Sequence, residues 1–186
     1  NDILDMSRIE SGISSLNLEK LELSEQISQI ETIIRTNTRE RRQQFEIRTR
    51  MIRHEQINGN GTHLRQILLN ILTNAAKYTP DGGRIIFEIT ELDSEPGYAE
   101  YQFTISDNGM GMSQEFISTI FSPFTRAENS VTNKVQGTGL GMTISRNIVN
   151  LMNDQQKPGR YDRRQNSRPE RAWKRQPVYS NAEIQG

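Results

Sequence analysis

Along residues 1–11, N-D-I-L-D-M-S-R-I-E-S, the apolar positions Ile3, Leu4, Met6 and Ile9 fall on one helical stripe that Gly12 would stop. The next stretch, S-L-N-L-E-K-L-E-L, alternates apolar and polar residues and predicts one or two short strands. Ser24 is placed to cap a second helix with Ile27, Ile30, Ile33 and Ile34 on its buried face. Phe45, Ile47, Thr49 and Met51 then alternate with charged residues as in a half-buried strand, and I-N-G-N-G-T reads as a turn. A third helix is expected from about Thr62 to Tyr78, with Leu64, Ile67, Leu68, Ile71, Leu72 and Ala75 inward, ending at T-P-D-G-G.

Two more strands, R-I-I-F-E-I-T-E-L and Y-A-E-Y-Q-F-T-I-S, flank the turn-like D-S-E-P-G. D-N-G-M-G-M, a short helix over 113–120, a polar loop, a glycine loop and a helix from Leu140 to about Met152 follow. The pattern predicts an α+β chain, a two-layer α/β sandwich with helices on one face of a mixed, mostly antiparallel sheet.

Composition changes this picture at one place. The 186 residues balance 23 Lys or Arg against 23 Asp or Glu. From Asn153 onward, however, eight basic residues face four acidic ones, so the chain divides near Met152 into a net −4 body and a net +4 tail. Cysteine is absent, which excludes a disulfide framework and a thiolate metal site. No apolar run approaches the ~18 residues of a membrane span. The tail, N-D-Q-Q-K-P-G-R-Y-D-R-R and onward, reads as a solvated disordered segment more readily than as an arginine-rich nucleic-acid arm.

Three elements carry candidate chemistry. Gly137, Gly139 and Gly141 in V-Q-G-T-G-L-G-M-T precede a helix start. They fit neither the dinucleotide fingerprint nor the P-loop, which needs Lys and a hydroxyl residue at its end. Glycines still allow close backbone approach, and free N–H groups at a helix start favour an anion. Asp107 in D-N-G-M-G ends a strand, where a carboxylate can accept a hydrogen bond from an exocyclic amine such as adenine's. On the third helix, Asn70, Asn74 and Tyr78 are four apart on one face, beside Lys77. Amides in that row can hold a metal ion and phosphate oxygens, and Lys77 adds a positive charge. Taken singly, each element is also a plain turn, cap or solvated helix face.

Together they resemble the ATP-binding catalytic domain of bacterial sensor histidine kinases, a Bergerat-type ATPase fold shared with gyrase, Hsp90 and MutL. L-R-Q-I-L-L-N-I-L-T-N-A-A-K-Y-T-P is similar to the N box, D-N-G-M-G-M to the first glycine box, F-S-P-F-T-R-A-E-N to the F box and G-T-G-L-G-M to the second glycine box. L-D-M-S-R-I-E-S-G resembles the end of a dimerisation helix. The implied organisation is the end of a helical phosphoacceptor domain over 1–12, the ATP-binding domain over 13–152 and an aberrant tail over 153–186.

By that resemblance Asp107 binds the adenine amine, Gly109 and Gly111 shape its pocket, and Asn70 holds Mg²⁺. Asn74, Lys77 and Tyr78 contact phosphates or flank the nucleotide, with Asn70 and Lys77 as the catalytic pair. Phe121 and Phe124 anchor a lid over about 121–138, Arg126 is a candidate phosphate contact, and Gly137, Thr138, Gly139, Leu140 and Gly141 close the lid against the phosphates. ATP and Mg²⁺ are the implied cofactors. Hydrolytic relatives carry a glutamate base at the position of Asn70, and an amide cannot take a proton from water, so transfer is favoured over hydrolysis.

The resemblance further implies an acceptor His on a helix preceding residue 1, homodimerisation through that helical domain, and a response regulator receiver domain as partner. It implies no nucleic acid and no membrane contact by this segment, in a cytoplasmic domain whose parent protein can be anchored in the bacterial inner membrane. His54 and His63 are read as surface residues without a catalytic role, and G-N-G-T-H-L-R-Q departs from the family's lead-in at Asn60 and His63. Other readings are a non-kinase ATPase of the same fold and an inactive or binding-only form. After Met152 the family continues with two strands that this chain lacks. Read one nucleotide later, Arg160–Arg164 admits G-T-I-D-V and Ala172–Glu183 admits P-G-N-G-S-R-F-T-V-T-L, so the tail is expected to be frameshifted.

Overall fold

The computed structural model describes residues 18–94, 99–125, 138–155 and 179–181. The expected helix over 1–12, Arg126, Gly137 and most of 153–186 lie outside the described residues. In order the elements are β1 (Glu19–Glu22), α1 (Leu23–Glu40), β2 (Gln44–Arg50), β3 (Gln56–Gly59), α2 (Gly61–Tyr78), β4 (Arg84–Leu92), β5 (Glu100–Asp107), α3 (Gln114–Thr119), α4 (Gly141–Gln155) and β6 (Tyr179–Asn181). The main sheet runs β2-β4-β5-β6, and β1 pairs with β3 apart from it.

Burial alternates along the sheet as the sequence pattern requires. Ile85, Phe87 and Ile89 of β4 and Tyr101, Phe103 and Ile105 of β5 are buried on one face. Against that face pack Ile30 and Ile34 of α1, Ile67, Leu68 and Leu72 of α2, and Ile144 and Ile148 of α4, in one continuous core. Each fully buried Ile, Leu or Phe contributes about 2 kcal/mol relative to exposure. The opposite face carries charge, with Glu46 taking Arg48 Nε at 2.8 Å and Arg84 Nη2 at 2.7 Å, and Glu88 taking Arg50 Nε at 3.0 Å. Hydrogen bonds from Arg48 and then Arg84 hold the Glu46 carboxyl down at about 2. A face so evenly paired is a solvated one.

The α+β class, the mixed sheet and the helical layer agree with the sequence reading, but among the described residues the pairings divide evenly. β2–β4 and β5–β6 are parallel, β4–β5 and β1–β3 antiparallel. Other expectations change locally. Ser24 caps nothing: the N-cap of α1 is Glu22, and Leu23 N donates to Glu55 O at 2.8 Å, so the helix starts two residues early. Ile33 is 43% exposed, whereas Thr38 is buried. The inward stripe is Ile27, Ile30, Ile34 and Thr38, whose steps of three and four follow the helical period, and Thr38 satisfies its hydroxyl on Ile34 O at 3.0 Å. Residues of the supposed turn I-N-G-N-G-T form β3, because Ile57 pairs with Leu21 and both are buried. Met51 lies past the strand end, exposed, at φ 54°.

Candidate functional site

The site is built around α2. Asn60, whose position departs from the expected lead-in, is its N-cap, and its Oδ1 accepts from His63 N at 2.8 Å. The other end is capped from the chain between α1 and β2. Arg41 Nη1 donates to Ala76 O and Lys77 O at 2.6 and 2.8 Å, and its Nε meets Asp81 at 3.0 Å. The buried Gln43 donates through Nε2 to Ala76 O and Thr79 O at 2.9 and 2.7 Å. These two side chains occupy carbonyls that a helix end leaves without partners, and the positive guanidinium suits the negative end of the helix.

So fixed, α2 presents Asn70, Asn74, Lys77 and Tyr78 half-buried, between the core on one side and the surface on the other. Lys77 Nζ lies 5.4 Å from the centre of the Tyr78 ring. Two further elements converge on this helix. At the end of β5, Asp107 Oδ1 accepts from Gly109 N at 2.8 Å, which fixes the direction of the carboxylate. A Cβ on Gly109 would stand 2.8 Å from Tyr78 O, so glycine alone lets this loop lie against the end of α2. Gly111, at φ 68°, continues the loop.

From the other side comes the start of α4. Asn70 Nδ2 donates to Gly141 O at 3.1 Å and to Ser145 Oγ at 3.2 Å, joining the middle of α2 to the first turn of α4. Gly139 has φ 71°, and a Cβ there would stand 3.0 Å from the Phe124 backbone. Thr143 Oγ1 donates to Phe121 O at 3.1 Å, and the Arg146 guanidinium lies 5.6 Å from the centre of the Phe121 ring. Residues 121–125 and 138–141 therefore meet at the base of the expected lid. Phe124 is exposed at φ 62°, Phe121 is at the surface, and Thr138 is exposed with its Oγ1 3.4 Å from Leu140 N. The Leu140 side chain is buried in the core, so only its backbone can face a ligand.

A model of the family described as histidine kinase-, DNA gyrase B- and HSP90-like ATPase matches residues 59–171, more than half the chain and all three converging elements. The chain belongs to this ATPase family. Its members' likeness extends over most of the sequence. Autoinducer 2 sensor kinase/phosphatase LuxQ of Vibrio vulnificus is 31% identical over 152 residues, 82% of this chain and 18% of the relative. Two-component system protein A of Emericella nidulans is 33% identical over 156 residues, 82% of this chain and 22% of the relative. The chain thus spans about a fifth of the length of these curated relatives. Among solved structures, a mycobacterial sensor histidine kinase, MprB, aligns with TM-score 0.53 and 28% identity over 73% of this chain and 80% of that one. ShkA in complex with AMPPNP aligns with TM-score 0.67 over 82% of this chain and 30% of that one, and at 24% identity supports the fold. The chain is an ATP-binding catalytic domain of the histidine kinase type, homologous to sensor kinases.

The sequence reading missed Arg41, Gln43 and Ser145. Nothing local marks the first two, whose partners lie more than thirty residues away. Ser145 had a faint signal, a small polar residue next to Ile144 on an otherwise apolar helix face. No helix among the described residues is long and apolar enough to cross a membrane.

Proposed function

We propose that this ATPase-family domain binds Mg-ATP through the residues converging on α2 and transfers the γ-phosphate to a histidine on another segment. Support comes first from Asp107, whose carboxylate is oriented by Gly109 N–H with its second oxygen left over for the adenine amine. Asn74, Lys77 and Tyr78 continue from there along α2 as phosphate contacts, and the backbone of Gly139, Leu140 and Gly141 meets the phosphates at the helix start. Asn70 and Lys77 are the residues assigned to catalysis, and Arg126 and Gly137 keep their proposed places in the lid.

For Mg²⁺, the donor set fits a cation shared with phosphate. Both hydrogens of the Asn70 amide have acceptors, which leaves Oδ1, a hard oxygen ligand, for the ion. Among the described residues no group of three His, Asp or Glu could cage a metal alone, and Mg²⁺ commonly takes one or two protein oxygens with phosphates and waters. Bound there, it would neutralise phosphate charge. The amide at Asn70 is no general base, which favours transfer over hydrolysis.

Neither histidine of the chain suits the acceptor role. His54 is tied to Glu91 at the far end of β4, six residues and about 20 Å of strand from the Ile85 that pairs with Asp107. His63 stands in the first turn of α2, about 10 Å of helix from Asn70. The acceptor then belongs to a dimerising helical segment, with 1–12 as its end, and the receiver domain of a response regulator takes the phosphoryl group next. The domain is placed in the cytoplasm, whether or not its parent is anchored in a membrane.

The tail over 153–186 carries, on this reading, a shifted coding frame. β6, Tyr179–Asn181, falls within the stretch whose alternative frame admits S-R-F-T-V-T-L, and the coding DNA tests this directly. For the function itself, calorimetric titration with Mg-ATP should give saturable binding that Asp107→Asn weakens. Equal affinity in wild type and variant would sink the assignment.

A further inference from the structure

We infer that the Gly141 carbonyl sets which way round the Asn70 amide stands, and that Ser145, by taking the second Nδ2 hydrogen, is the positioning residue that holds the amide plane so that Oδ1 is presented to the metal. The inference rests on the proposed role of Asn70 as the Mg²⁺ ligand. An asparagine amide has two ends of similar shape and opposite chemistry, and rotation by half a turn about its last bond exchanges them. The Gly141 carbonyl can only accept, so the end facing it at 3.1 Å must be Nδ2. The second hydrogen of Nδ2 goes to Ser145 Oγ at 3.2 Å.

Turned around, the amide would set Oδ1 against the Gly141 oxygen, acceptor against acceptor, and would offer the cation an N–H₂. The neighbourhood leaves little slack: Ser145 is 3% exposed, and a Cβ on Gly141 would stand 3.4 Å from Asn70 Cγ. Ser145 sits one helical turn after Gly141 on α4, so the carbonyl that selects the amide's orientation and the hydroxyl that takes its second hydrogen line up on the same face toward α2. One helix therefore supplies the loop that meets the phosphates at its start and, four residues on, the hydroxyl that orients the metal's ligand.

A carboxylate at position 70 would add charge for the cation, but one of its oxygens would confront the Gly141 carbonyl. Asn70→Asp should accordingly weaken metal-dependent binding rather than strengthen it.

The test is calorimetric titration of the 186-residue chain with ATP, in excess Mg²⁺ and in EDTA, for wild type, Ser145→Ala, Asn70→Ala and the double variant. Ser145→Ala should lose about tenfold in Mg-ATP affinity, the usual scale for a group that orients a ligand, and less than twofold in metal-free ATP affinity. On the Asn70→Ala background Ser145→Ala should add nothing, because it acts through that amide. Equal losses with and without metal, or additive losses in the double variant, would overturn the inference. Should Ser145→Ala not fold, Asn70→Asp decides, and tighter Mg-ATP binding by that variant is the contrary result. Wild type that binds ATP equally in Mg²⁺ and EDTA would overturn the metal assignment and this inference together. Wild type that prefers Mg²⁺, with Ser145→Ala keeping that preference, would overturn the inference alone.

Discussion

The two ends of strand β4 solve opposite problems with the same kinds of residue. At its C-terminal end Glu91 is buried, and its carboxylate accepts from Arg53 N at 2.5 Å, His54 N at 3.0 Å and His54 Nδ1 at 2.6 Å, with Arg53 Nε at 3.6 Å. The Tyr101 hydroxyl donates to His54 O beside it. Burial pushes the Glu91 carboxyl up, but the hydrogen bonds from Arg53 and His54 outweigh it and leave it below the ordinary range. Burial first, and then the charges of Glu91 and Glu55, push the Tyr101 phenol far above its usual value. At the N-terminal end, where Ile85 pairs with Asp107, the polar groups are half-buried and glycines hold the backbone open. The closed end uses its acceptors to tie the 51–55 loop to the sheet, whereas at the open end Asp107 takes one backbone N–H and, on the proposed function, offers its other oxygen to a ligand. A carboxylate at a strand end is thus a fastener or a site according to how many of its acceptor positions the protein itself fills.

Glu91→Ala should give the largest effect and only on stability. Stripping the buried carboxylate from two part-buried N–H groups and the His54 ring costs about 3 kcal/mol, read as a shift in the urea midpoint, while ATP affinity of the folded chain stays within twofold. Asp107→Asn should do the reverse. Its amide can still accept from Gly109 N–H, but it then points N–H₂ at the adenine amine. About 2 kcal/mol of binding, roughly 30-fold in affinity, should vanish, with the urea midpoint unmoved. A large stability loss in this second variant would erase the contrast between the ends.

How far each end could be read beforehand differs. The open end was legible because a helix repeats: the four-residue step from Asn70 to Asn74 to Tyr78 sets a face whatever lies elsewhere in the chain. Asp107 followed from its place after an alternating run. The closed end was overlooked although a signal existed, for in R-I-I-F-E-I-T-E-L the parity of Ile85, Phe87 and Ile89 carries Glu91 to the buried face. β3 escaped because four residues containing a glycine imitate a turn until β1 is known to lie beside them. The cap by Arg41 and Gln43 is long-range and has no local trace.

Arg41→Ala sharpens the comparison from between the two ends. It frees the Lys77 carbonyl of α2, while Ala76 O keeps Gln43, so it should lower stability by about 1 kcal/mol in the same urea titration and also loosen ATP binding a few-fold. Binding unchanged by this loss would separate the cap from the site. The smallest effect should come with acid. Because the Glu91 carboxyl is lowered on folding, its contribution is complete above the ordinary carboxylate range, about 4, and is lost as pH falls below it. The gap between wild type and Glu91→Ala in urea midpoint should therefore be constant near neutrality and narrow only below about pH 4. A gap that narrows between pH 8 and 6 would point to a different group.

The open end is defined by the spare oxygen of Asp107, and one comparison addresses it directly: calorimetric titration of the chain with Mg-ATP and with Mg-ITP. The two nucleotides differ at the position where adenine carries its exocyclic amine and hypoxanthine a carbonyl. ATP should bind at least 30-fold more tightly, since an oxygen facing the carboxylate leaves both acceptors unpaired. Equal affinities would contradict the assignment of Asp107 to the base.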